Sequence, residues 1–353
     1  IQGTSFAFIP IMLPFKAFGL GAIFTAAFIG GIFQIWIGKM LKPIRHMFPP
    51  LVTGIVVLMI GISLLKVGFK YAGGGVWLMN NKPEIFGNWE HLTIAGTVLI
   101  VALLTNLRGK GMVSAASILI GIIAGFIVAA MLGEVRWGKI AAADWFAFPM
   151  PLQYGIDFVW GAVILMLFMS IVTTIETIGD ISATTMGGAN REATNKELSG
   201  GIMADGVGTA FASIFNAMPN TSYSQNAGLV AFTGVISRHV GTVAGVILIL
   251  LGLFPKLGGI IAAMPDSVIG GAAIIMFGLI AGAGIKLISK SEMSQRNILI
   301  LALSLSFGIG LYAFPEFVAH IPDFGIKLKL LLTTGLIPAG MLAFILNAIL
   351  PKK

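Results

Sequence analysis

Apolar runs of about 20 residues recur along the whole chain, and the charged positions gather in the short stretches between them. About twelve membrane elements are predicted. An extended stretch over residues 3–9 runs into a short helix that ends near Phe18. Helices follow at 20–38, 48–67, 92–107, 112–132, 155–179, 198–218, 225–237, 240–262, 266–287, 295–314 and 327–349. The 46 glycines suit close helix packing in a bilayer, where small residues let backbones approach.

Composition sharpens this picture. The chain is 57% hydrophobic and 10% charged, whereas a soluble domain carries about 25% charged residues. Mean hydropathy is +0.97. Neither a soluble domain nor a long polar linker is expected. Cysteine is absent, which excludes disulfides and thiolate metal sites. A net charge of +8 points away from nucleic acid here, because the basic residues lie in short loops, where they set orientation. They fall in alternate loops: Lys39, Lys42 and Arg45; Arg108 and Lys110; Arg191 and Lys196; Arg238; Lys286, Lys290 and Arg296; then Lys352 and Lys353. The intervening loops hold Glu84, Glu90, Glu134, Asp144, Asp266, Glu316 and Asp323, with some basic residues, among them Lys70, Lys82, Arg136 and Lys139. This bias places the first set and the C-terminus in the cytoplasm.

An internal repeat organises the runs. Gly3-Thr4-Ser5-Phe6-Ala7 resembles Asn220-Thr221-Ser222-Tyr223-Ser224 at an offset of 217 residues. Pro49-Pro50-Leu51-Val52-Thr53-Gly54 resembles Pro265-Asp266-Ser267-Val268-Ile269-Gly270 at an offset of 216, and Gly61 matches Gly278 at 217. Seven elements separate equivalent points. An odd number reverses direction across the membrane, so the repeats are inverted. Inverted repeats with broken helices and a site near the midplane are a transporter architecture. The counterpart of the helix starting near 155 would begin roughly 60 residues before the first residue, enough for two more spans. The fold class expected is therefore an all-α polytopic membrane protein. It has an inverted-repeat 7+7 transporter fold, two short strands in broken helices and its first two elements absent.

Candidate chemistry is sparse and concentrated. Glu176, Asp180 and Asp205 are the acids within or at the edge of predicted spans. Glu176 and Asp180, four apart, share one helix face, where two like charges do not both ionise easily. Glu176 lies well inside an apolar run, and an intramembrane carboxylate is a functional residue by default. Asp180 either joins it or caps a helix ending near Gly179. Asp205, flanked by small residues, either binds a proton or pairs with a hydroxyl or amide of a facing helix. Pro10 and Pro219 interrupt helix pairing at matching places, so the two extended pieces could pair with each other. Each would aim a helix N-terminus at the site. The adjacent amides Gln225 and Asn226 suggest a polar ligand, and Phe6 and Tyr223 could stack on a planar base. His46 reads as a loop residue, and His91, His239 and His320 as interfacial. No cluster has metal-ligand spacing. The Thr4-Ser5 and Ser222–Ser224 hydroxyls have no accompanying histidine, so no enzyme and no cofactor are expected.

Gln225-Asn226-Ala227-Gly228, with Thr233 five residues on and then Arg238, reads Q-N-x-G-x-x-x-x-T. This resembles the signature of the nucleobase–ascorbate transporter family, also called nucleobase–cation symporter-2, and specifically its bacterial xanthine/urate permease type. The resemblance covers nearly the whole chain. It implies a 14-element fold with a core domain at 1–40 and 155–262 and a gate domain at 41–154 and 263–353. It implies that Glu176 accepts hydrogen bonds from purine N–H groups and that Gln225 binds the purine edge. Asn226 orders the site, and Ser5, Phe6 and Ala7 lie where the third element meets substrate. Asp180 and Asp205 serve coupling or site architecture, with Gly228, Thr233 and Arg238 completing the motif. Gly234 departs from the Arg or Lys that many members carry there.

The implied activity is secondary active transport: proton-coupled uptake of xanthine or urate through a bacterial inner membrane. A Gln-Asn form of the signature suits a purine, since an amide both donates and accepts. A uracil or other nucleobase symporter is the alternative, and an anion exchanger of the same architecture a third, disfavoured because no Lys or Arg adjoins the motif. The partners implied are a purine, protons (or sodium in their place) and the lipid bilayer, with a homodimer as the assembly entertained.

Overall fold

The computed structural model describes residues 2–40, 49–223, 226, 229, 230, 233–321 and 328–351; for Phe6, Pro10, Pro14, Ala17, Leu328 and Leu330 it describes the backbone alone. The principal helices are α1 (Leu20–Lys39), α2 (Pro50–Ala72), α3 (Trp89–Arg108), α4 (Ser117–Met131), α5 (Trp160–Ala189), α6 (Asn195–Ile214), α7 (Arg238–Gly252), α8 (Pro255–Ala263), α9 (Asp266–Ile288), α10 (Gln295–Ala313) and α11 (Leu336–Ile349). Six of them, α1, α2, α3, α5, α9 and α10, are long and apolar enough to cross a membrane. The α7–α8 pair, bent by 77°, makes a seventh when taken together as one broken span. This is an integral membrane protein.

Two short strands, β1 (Gln2–Thr4) and β2 (Asn220–Ser222), pair antiparallel, with Gln2 opposite Ser222, Gly3 opposite Thr221 and Thr4 opposite Asn220. The Ser5 N–H continues the ladder to the Pro219 carbonyl at 3.2 Å. These are the two extended pieces that the repeat matches. Both are shorter than expected. Phe6–Phe8 is already a 3-10 turn, and helical turns follow to Phe18, with Pro10 and Pro14 in first-turn positions where no N–H is needed.

Several helix limits differ from the sequence expectation, each for a local reason. α5 starts later, at Trp160, because Leu152 and Gly155 adopt φ of 51° and 73°. It then runs past Gly179 to Ala189, where Asn190 closes it in the left-handed region. Asp180 is therefore inside a helix and does not cap one. α6 begins earlier, at Asn195, because Thr194 and Glu197 form a capping box. The segment expected as one helix at 112–132 is two, Met112–Ala115 and Ser117–Met131. The 240–262 segment breaks before Pro255, and the 327–349 segment breaks at Gly335, φ 68°. Of the expected 225–237 helix, residues 226, 229, 230 and 233 are helical, whereas 234–237 are not.

Packing divides the chain into two compact units. The first holds Ile1–Ser63, Met150–Ala227 and Ile280–Lys353, the second Leu64–Pro149 and Gly228–Leu279. The first unit is built on α1, α5 and α6. A methyl group placed on Gly31 of α1 would meet the Ala210 nitrogen and Gly206 oxygen of α6, both at 2.7 Å, so glycine sets this backbone-to-backbone approach. In the second unit Ile94 and Val98 of α3, Ala129 of α4 and Val268 and Ala272 of α9 form a buried cluster. Arg136 and Asp266 pair at 3.5 Å. These units group residues differently from the core and gate ranges expected from the sequence.

Candidate functional site

The polar side chains of the first unit concentrate where α5 and α6 face β2. On α5, Thr173 and Thr174 are buried, and their hydroxyls donate back to the helix: Thr173 to the Met169 carbonyl at 3.0 Å, Thr174 to that of Ser170 at 2.6 Å. Thr177, one turn on, instead donates across to Asp205 Oδ2 of α6. The Ser222 hydroxyl of β2 donates to Asp180 Oδ2 at 2.6 Å and lies 3.4 Å from the Thr177 hydroxyl. The Ser222 main-chain N–H bonds Asp205. A chain of contacts thus runs Asp180, Ser222, Thr177, Asp205. Both acids are buried. Of the two readings of Asp205 open in the sequence, the structure displays pairing with a hydroxyl on the facing helix.

Thr209, one turn beyond Asp205, fastens β2 to α6. Its hydroxyl accepts from the Asn220 N–H at 3.0 Å and donates to the Asn220 carbonyl at 3.1 Å. Asn220, which Thr209 holds, is two strand positions before Ser222. Neither Thr177 nor Thr209 stood out in the sequence. The available signal was the spacing: Thr177 directly follows Glu176, and Thr209 is one turn from Asp205.

Glu176 differs from the two aspartates. It is half-buried, one turn before Asp180, and makes no hydrogen bond among the described residues. Ser5 and Ala7 are buried, and the Ser5 hydroxyl accepts from the Ala7 N–H at 3.1 Å, so the turn after β1 uses the serine locally. Tyr223 donates from its phenol to the Thr4 carbonyl at 3.2 Å and lies across Gly3 of β1. The Asn226 N–H bonds the Tyr223 carbonyl at 3.0 Å. Gln225 and Gly228 lie outside the described residues, as does the side chain of Phe6. In the second unit, the Thr233 hydroxyl donates to the Leu229 carbonyl at 2.9 Å and accepts from the Val235 N–H at 3.3 Å. Gly234 takes φ 69°, with its N–H on the Val230 carbonyl at 2.8 Å. The end of the motif is thus a helix stop, which a side chain at Gly234 would strain. Arg238 opens α7 after the Ser237 cap.

An apolar cavity of about 190 Å³ lies between α2, α5 and α11, lined by Val52, Val56, Phe168, Val172, Ile175 and Phe344 among others. Thr53 is the one hydroxyl-bearing residue among its described lining. His91, expected at an interface, is buried at the start of α3. No group of three or more metal-ligating side chains occurs among the described residues.

The model of the Permease family matches residues 1–317. Over 369 residues the chain is 34% identical to the xanthine permease XanP of Escherichia coli, covering 100% of this chain and 78% of that one. It is 34% identical over 364 residues to the xanthine permease XanQ of the same organism, with 99% and 77% covered. It is 33% identical over 349 residues to the uric acid permease PucJ of Bacillus subtilis, with 98% and 77% covered. Among solved structures, the transmembrane domain of the cyanobacterial bicarbonate transporter BicA superposes with a TM-score of 0.59 at 18% identity, covering 91% of this chain and 76% of that one. SLC26A9 gives 0.55 at 14% identity, with 95% and 51% covered. These two likenesses carry the fold alone, the inverted-repeat architecture of seven plus seven elements.

Proposed function

This chain belongs to the permease family of nucleobase–ascorbate transporters, and from that premise we propose that it takes up an oxidised purine, xanthine or urate, in symport with protons. It is a transporter and not an enzyme. The observation that carries the reading is the contrast among three neighbouring acids. Asp180 and Asp205 are engaged by Ser222 and Thr177, whereas Glu176 makes no hydrogen bond among the described residues. An ionised carboxylate only accepts, so Glu176 suits the N–H edge of a purine, and Gln225, which both donates and accepts, suits its carbonyl edge. Asn226 orders the turn, and Ser5, Phe6 and Ala7 bring the other broken helix to the ring. Among the described residues no buried Lys or Arg occurs, which disfavours an exchanger of small inorganic anions.

Proton coupling is supported by the same acids. Carboxyl groups gathered in low dielectric share protons, because they do not all ionise together. The Asp180–Ser222–Thr177–Asp205 chain links two of them through hydroxyls on β2 and α5. In this reading the protein lies in a bacterial inner membrane with its C-terminus in the cytoplasm. Residues 1–40 and 155–262 carry the substrate, and 41–154 and 263–353 form the gate. Glu176→Gln tests the assignment. It keeps the size and removes the acceptor-only charge, so xanthine affinity should fall at least about tenfold, as loss of a charged hydrogen bond implies. Equilibrium binding of radiolabelled xanthine measures it, and near-normal affinity would sink the role given to Glu176.

A further inference from the structure

Gln34 lies in the C-terminal half of α1 and is 1% exposed, yet among the described residues neither its amide nitrogen nor its amide oxygen has a hydrogen-bond partner. An amide left unpaired in an apolar interior is strongly disfavoured. The neighbours one turn away fix its surroundings. A methyl group on Gly30 would meet Met166 and Ser170 of α5, one on Gly31 would meet Gly206 and Ala210 of α6, and one on Gly38 would meet Met203 and Ser199 of α6. Gln34 falls three or four residues from all three, on the same face, so it lies in the seam where α1 meets both helices. Along α1 the contacts on α6 descend from 206–210 to 199–203, so the α6 turn level with Gln34 is 203–206, which includes Asp205. On α5 the level after Ser170 is that of Thr173 and Thr174, whose hydroxyl protons are spent on their own helix.

Two further buried atoms lack partners among the described residues: Gln2 Oε1, whose Nε2 donates to the Ala204 carbonyl of α6 at 3.2 Å, and the hydroxyl of Thr221 on β2. The chemistry of the missing partner follows from the amide. An occupant must accept from the NH₂ and donate to the carbonyl. A metal ion satisfies only the oxygen, and an anion only the nitrogen. Water satisfies both, and buried water typically bridges polar groups of this kind.

We propose that Gln34 holds an ordered water in the α1–α5–α6 seam at the level of Asp205. Gln34 is then a positioning residue, which extends the Asp180–Ser222–Thr177–Asp205 chain to the α1 side. The inference does not depend on which purine is carried.

A density map of the full chain that resolves waters should place a peak at hydrogen-bond distance, about 2.7–3.2 Å, from the Gln34 amide. Gln34→Leu gives the second reading. If the amide is dry, removing its unmet polar atoms raises Tm; if it holds a water bonded onward, the loss lowers Tm. A water that joins Gln34 to Asp205 also makes Gln34→Leu and Asp205→Asn non-additive in a double-mutant cycle. An empty seam in the map overturns the proposal, and so does a raised Tm with additive effects. Should Gln34→Leu fail to fold, the map of the unmodified protein and Gln34→Met decide the question in the same terms.

Discussion

Three acids within two turns of α5 and one of α6 meet different fates, and the difference lies in hydroxyl groups. Asp180 has the Ser222 hydroxyl at 2.6 Å and Asp205 has that of Thr177, while Glu176 makes no hydrogen bond among the described residues. Ser222→Ala removes one donor from a buried carboxylate. The expected loss is about 1–3 kcal/mol of stability, the range for an unsatisfied buried polar group, read by thermal unfolding in detergent. An unchanged midpoint would mean that Asp180 is satisfied without β2. Outside the spans, Arg191 grips Glu197 through both guanidinium nitrogens at 2.6 and 2.9 Å, and this hydrogen bonding holds the Glu197 carboxyl well below the usual carboxylate range. Such a group contributes stability above its ordinary pKa, and the contribution fades as pH falls towards the lowered value. The advantage of the native protein over Glu197→Gln should therefore be steady near neutrality and shrink below about pH 4, remaining small and salt-sensitive because the pair is exposed. A constant difference down to acid pH would contradict the pairing. The acids were legible in the sequence because carboxylates are rare in apolar runs. Thr177, Ser222 and Thr209 were not, because hydroxyls are common there and only tertiary contact selects the ones that reach across.

The two strands were legible as elements, since Gly3–Ala7 and Asn220–Ser224 match at the repeat offset and each adjoins a proline. Their pairing is what sets Ser222 against Asp180. The end of α5 was less readable. Gly179 suggested a stop, but a glycine inside a well-packed helix is tolerated, and the left-handed Asn190 ends it eleven residues later (190 against 179). The breaks before Pro255 and at Gly335 interrupt runs whose hydropathy stays apolar throughout, so pattern alone reads through them. The staple at Thr209 gives a test at this scale. Thr209→Val keeps the shape and removes both hydrogen bonds to Asn220, so β2 should loosen, with a loss of about 1–3 kcal/mol. Hydrogen exchange at residues 220–222 should accelerate with it. Unaltered protection there would indicate that the β1 ladder alone holds the strand.

At the scale of the whole chain, hydropathy and the odd element count led to the inverted-repeat transporter, because both depend on bilayer thickness and not on side-chain detail. The packing units were not legible, since α2 and α9 each pass from one unit to the other within a continuous helix. The candidate site draws on α5, α6 and the paired strands β1 and β2, so its chemistry appears only when distant segments meet. The central claim, that carboxylates beside β1 and β2 couple purine uptake to protons, is tested most directly by transport. Radiolabelled xanthine and urate should accumulate in proteoliposomes holding the full chain in sodium-free buffer, increasingly as external pH falls from about 8 to 6, the range over which buried carboxyls can titrate. A protonophore should abolish the accumulation. Accumulation that requires sodium and ignores the protonophore would contradict the account.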